Sequence, residues 1–103
     1  MREFAHEQRV LVHDLHGGPE ALGAAVTVEL CGHWEHDGPC RWPHHTTATM
    51  IGDNSAELVV RFDADESEVA EVRDRILAGL RVGALQGPDD HITAWGPVEP
   101  TGQ

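Results

Sequence analysis

Two stretches of this chain alternate apolar and polar side chains with the period of two expected of a half-buried strand. In "AVTVELCGHW", which begins at Ala25, Val26, Val28 and Leu30 alternate with Thr27, Glu29 and Cys31. In "ELVVRFDA", Leu58, Val60 and Phe62 fall on one face. Between them "HHTTATMI" is rich in threonine, which strands favour, and the "GDNSA" after it is a turn cluster. These three segments predict a meander of neighbouring antiparallel strands.

The N-terminal "REFAHEQRVLVHDLHGG" fits two periods. Phe4, Leu11 and Leu15 fall at helical spacing, with Gly17 and Gly18 placed to end a helix. The alternation within "RVLVHDL" favours a strand over residues 9–15, followed by a connecting loop, "HGGPEALG".

A different period sets in after Phe62. Val69, Val72, Ile76 and Leu80 recur every three or four residues, and Leu77 widens the stripe, which predicts an amphipathic helix over residues 65–82. Asp65 and Glu68 have the spacing of a capping box, Glu71 and Arg75 that of an i,i+4 ion pair, and Gly83 marks the end. "GALQGPDD" reads as a loop, "HITAWGPV" as a last strand with Trp95 in the core or an interface, and residues 99–103 as a frayed tail. The expected class is α+β: a single domain, residues 1–103, with a small antiparallel sheet (the meander plus the later strand) and one main helix on one face.

Charge narrows the partners. Eighteen carboxylates against seven basic residues, all arginine, give a net charge of −11. That balance repels phosphate backbones and anionic membranes, so nucleic-acid and membrane partners are not expected. The absence of lysine excludes Schiff-base chemistry and the usual phosphate-binding loop. No run approaches the roughly 20 apolar residues that cross a bilayer, and the start, "MREFAHEQRV", has no signal-like apolar run, so a cytoplasmic location is expected.

Candidate chemistry gathers in residues 29–47, "ELCGHWEHDGPCRWPHHTT", which hold both cysteines and two of the three tryptophans. A hairpin about Gly38 places Trp34 opposite Trp42, Leu30 opposite Thr46 and Val28 opposite Ala48. The other face then carries Cys31, His33 and His45, and a second trio, His36, Cys40 and His44, lies near the tip. Cross-strand β-carbons about 5 Å apart suit one ion held by thiolate and imidazole, with Glu29, Glu35 or water completing it. Zinc fits best, and copper or nickel also suits these ligands. The register sets Cys31 and Cys40 on opposite faces, which disfavours a disulfide.

The expected function is therefore transition-metal binding through this hairpin, in a structural or carrier role. An interaction domain using Trp34 and Trp42 as a partner patch is the alternative, and an enzyme activating Cys31 beside His33 or His45 is a third. The balance leans away from catalysis, since there is no G-x-S-x-G and no G-x-G-x-x-G, and the absence of a strict C-x2-C spacing weighs against a zinc site. A homodimer or protein partner is expected from the need to protect the uncovered sheet face and strand edges.

Overall fold

The computed structural model describes residues 4–31, 42–86 and 91–101. Strand β1 (His6–Val12) leads to helix α1 (Glu20–Cys31), then to strands β2 (His44–Met50) and β3 (Ala56–Phe62). A 3-10 turn (Glu66–Glu68) opens into helix α2 (Val69–Arg81), which is followed by strands β4 (Ala84–Gln86), β5 (Ile92–Ala94) and β6 (Val98–Thr101). The main sheet runs in the order β2-β3-β1-β6, and every neighbouring pair is antiparallel.

That order separates β1 from β2 by β3, and β3 from β6 by β1. Because each pair flanks a common antiparallel neighbour, β1 runs parallel to β2 and β3 parallel to β6. The result is two interleaved split βαβ units, the βαββαβ arrangement, with the β4–β5 ribbon inserted after α2. The fold is α+β as expected, but the pairing is not a meander. Two helices share the work expected of one.

Alternation on β1 and β3 builds the core. Val10 and Val12 of β1 and Ala56, Leu58, Val60 and Phe62 of β3 are wholly buried on the face that also receives the helices. Helix α2 contributes Val72, Ile76 and Leu80, and α1 contributes Leu22, Ala25, Val26 and Leu30. Each large side chain so buried stabilises the fold by about 1.5–3 kcal/mol relative to exposure. Gln8 is the polar exception in this row, 2% exposed. Arg73 of α2 satisfies it, donating to the Gln8 side-chain oxygen at 2.9 Å and to the Glu7 carbonyl at 2.8 Å.

The segment expected as the first meander strand is α1. Val26, Val28 and Leu30 alternate with polar residues, yet the buried set Leu22, Ala25, Val26 and Leu30 has spacings of three, one and four, the stripe of a helix. Pro19 precedes the first turn and Glu20 lies in it, both favourable at a helix start. With residues 20–31 helical, the expected pairing of Val28 with Ala48 and of Leu30 with Thr46 does not form. Instead β2 pairs with β3, setting Thr46 against Val60 and Ala48 against Leu58.

Several smaller expectations also shift. Asp65 makes no side-chain cap bond, so the capping box is absent; the Glu68 amide bonds the Asp65 carbonyl at 2.7 Å instead. Residues 84–86, expected in a loop, form β4, and residues 99–101, expected in the tail, pair with β1 as part of β6. The Glu71–Arg75 pair is present at 3.0 Å. Gly83 ends α2 with φ of +83°, a conformation costly for residues with a side chain. Trp95, 7% exposed, donates its indole N–H to the Leu80 carbonyl at that helix end.

Helices α1 and α2 cross where Gly79 faces Ala25 and Glu29. A β-carbon at residue 79 would stand 3.0 Å from the Ala25 carbonyl oxygen and 3.2 Å from the Glu29 β-carbon. Gly79→Val is therefore expected to destabilise the protein by about 1–3 kcal/mol through overpacking, outweighing the helix propensity it adds. Urea unfolding followed by circular dichroism measures it, and an unchanged midpoint would refute the close crossing.

Candidate functional site

Of the residues expected to converge on a metal, the structure describes Cys31, His44 and His45. Cys31 is the last residue of α1, not part of a strand. Residues 33, 34, 36 and 40, and with them His33, Trp34, His36 and Cys40, lie outside the described residues. His44 and His45 are neighbours on β2 and so point to opposite faces: His44 is half-buried on the helix side and His45 is exposed on the other. Among the described residues no group of three or more His, Cys, Asp or Glu side chains could hold a metal ion. The metal-binding hairpin is overturned, both by this absence and by the helical state of its first arm.

Of the expected tryptophan patch, Trp42 alone is among the described residues. Trp42 is 3% exposed and packs in the core, with the Arg75 guanidinium 5.1 Å above its ring.

His44 has a specific place. Its Nδ1 lies 3.0 Å from the Trp42 carbonyl oxygen, and its Nε2 lies 3.0 Å from the Thr27 hydroxyl on α1. A carbonyl only accepts, so Nδ1 carries the proton and, in the neutral ring, Nε2 accepts from Thr27. Both ring nitrogens are thereby engaged, and the Nε2 contact ties β2 to α1. Immediately beyond, a cleft of about 350 Å³ opens between the same two elements, lined by Pro19, Glu20, Gly23, Thr46 and Ala48. Among the described residues, the buried Thr46 hydroxyl has no hydrogen-bond partner.

Strand β2 is also an edge of the sheet. Which of its backbone groups are free follows from two bonds at its ends. Ile51 donates to the Ser55 carbonyl at 2.9 Å, and the Pro43 carbonyl accepts from Asp63 at 3.0 Å. Antiparallel ladders alternate bonded and non-bonded pairs, so the odd-numbered residues bond β3. The N–H and C=O groups of His44, Thr46, Ala48 and Met50 therefore point away from the sheet, and β3 is the only strand that pairs with β2 among the described residues. The side chains of this same row face the helix side, where Thr46 and Ala48 form one wall of the cleft.

The uncovered face of the sheet has another character. Glu7 lies 2.8 Å from Arg9 and 3.3 Å from Arg61, Arg9 lies 3.9 Å from Glu57, and His13 lies 3.1 Å from Glu99. Such a paired, charged face is stable in water, which antiparallel sheets permit. A second cavity of about 420 Å³, lined by Trp42, Asp63, Ala64, Asp65 and Glu68, is acidic, and Asp63 there already accepts the Ala5 amide at 2.9 Å. The edge with its cleft is thus the place where, among the described residues, outward-pointing backbone groups and a concavity coincide. The sequence signal for it was present in "HHTTATM", a long strand with no charge and no proline.

No known family model, curated protein or solved structure matches this chain. No described helix is long and apolar enough to cross a membrane.

Two tests follow from this geometry. A buried hydroxyl without a partner costs about 1–3 kcal/mol, so Thr46→Val is expected to raise the unfolding midpoint; a lowered midpoint would mean that the hydroxyl is satisfied. On the open face, hydrogen bonding from Arg9, and then from Arg61, holds the Glu7 carboxyl below its usual 4.5. A depressed carboxylate stabilises the fold above its unfolded pKa and loses that contribution as pH falls through the folded value. The stability advantage of wild type over Glu7→Gln should accordingly shrink between about pH 6 and about pH 3. An advantage that stays constant across urea midpoints in that range would contradict the ion pairing.

Proposed function

We propose that the protein is a strand-docking module, which binds an extended segment along the free edge of β2. The observation that carries this reading is the coincidence of the outward-facing backbone of His44, Thr46, Ala48 and Met50 with the cleft beside it. In strand addition, main-chain hydrogen bonds supply affinity and pockets for alternate side chains supply specificity. Here every second residue of a docked strand would face the helix side, above Thr46, Ala48 and Gly23. The small side chains on that wall leave room for an incoming one.

The rest of the surface supports the choice of edge. The opposite edge, β6, has four residues and carries Glu99 and Pro100, both of which discourage pairing. The uncovered face is charged and internally paired. The β2 edge has neither proline nor fixed charge over seven residues, and α1 reaches it through His44 and Thr27 without filling the cleft.

Replacement of Ala48 by proline removes one outward N–H and leaves the inward ladder to β3 intact. Selection of a displayed random-peptide library on wild type should enrich extended sequences that lose binding to Ala48→Pro. Absence of enrichment, or peptides that bind Ala48→Pro equally well, would exclude strand docking at this edge.

A further inference from the structure

Building on the strand-docking reading, we propose that the docked strand is β2 of a second copy, paired antiparallel about a two-fold axis at Ala48. In that register Ala48 meets the partner's Ala48, Thr46 meets the partner's Met50, and Thr47 meets the partner's Thr49. The outward groups of Thr46, Ala48 and Met50 then exchange hydrogen bonds with their counterparts, because all three belong to the unpaired row.

Charge is the first argument for a second copy. Two chains of −11 repel, and an interface between them must keep their carboxylates apart. Strand β2 has no acidic residue along its whole length. The seam thus joins two highly acidic molecules along an uncharged line, with threonine opposite threonine, a favourable cross-strand pair.

Exposure is the second argument. Met50 is 42% exposed and Ile51 is 55% exposed, and both stand at the end of this strand. Pairing at Ala48 brings the partner's Met50 beside Thr46, over the cleft lined by Pro19, Gly23 and Ala48. A flexible thioether side chain suits an irregular gap of that kind. On the other face, the partner's Ile51 lies across from His45. Symmetry repeats both contacts, so each copy covers the other's exposed residues and has its own cleft closed.

Sedimentation velocity across low- to high-micromolar concentrations tests the pairing. Wild type should shift from the 11.2 kDa chain toward twice that mass. Met50→Glu, at an exposed position where folding is not at risk, should weaken self-association by about tenfold or more. Ala48→Pro should abolish it. In the wild-type dimer, the Thr46 and Ala48 amides should exchange with solvent more slowly as concentration rises. A wild type that stays monomeric throughout, or a Met50→Glu variant that associates like wild type, would overturn the second copy as occupant. If selected peptides nonetheless require the Ala48 amide, strand docking survives and only its partner changes; if they do not, both fall.

Discussion

The position of β3 between β1 and β2 is the constraint on which the rest of the structure depends. It forces each βαβ connection to skip a strand, so α1 must cross from the far end of β1 to an edge, and α2 must cross back over β1 to β6. Both helices arrive on the same face because Val10, Val12, Leu58, Val60 and Phe62 make only that face apolar. The two helices then meet each other at Gly79 and Ala25, where a missing side chain permits the approach. Packing density at this crossing and burial along β3 are thus consequences of one pairing choice.

The same choice determines where the molecule is incomplete. A four-stranded open sheet has two edges and two faces. One face is covered by helices, and the other is solvated through the Glu7, Arg9, Glu57 and Arg61 ion pairs. One edge is the short β6, interrupted by proline. Only β2 presents a long row of backbone groups that nothing else on the described chain uses. Because α1 is the element that delivers the chain to β2, its first turns stand beside that edge and form the cleft with it. A groove of this kind is a by-product of the topology, and the small residues Gly23 and Ala48 keep it open.

Much of this was legible in the pattern of residues, and the exceptions have physical causes. Strands β1 and β3 and helix α2 could be read because each has one buried side, which writes a period into the sequence, and β2 could be read from its threonines. Helix α1 could not, since over six residues Val26, Thr27, Val28, Glu29, Leu30 and Cys31 satisfy the strand period. Only a window reaching back to Leu22 and Ala25 restores the helical stripe. Strand order was hidden for another reason: β1 and β3 are distant in sequence, and alternation reports which residues face a core, not which strand lies beside them. The expected metal cluster shows the cost of that gap. His44 and His45 are adjacent in sequence, but the pleat sends one to Thr27 and the other to solvent, and no periodicity argument can restore a ligand set once the pairing strand is wrong. The buried Gln8 was equally invisible, because its partner, Arg73, comes from the far side of the chain.

An open edge ordinarily invites unlimited sheet growth, and the distribution of edge features answers that hazard. A heterologous pairing, β2 of one molecule on β6 of the next, would propagate into a fibre. Pro100 and Glu99 on β6 oppose it, by removing a donor and by placing negative charge at the seam of an already acidic chain. An isologous β2–β2 pairing consumes both open edges at once and leaves only β6 edges outside. The sheet then has eight strands with a blocked strand at each end, and growth stops at two copies. In the proposed dimer, the residues that protect one edge are what allow the other to remain unprotected, which gives the asymmetry between "HHTTATM" and "VEPT" a physical reason.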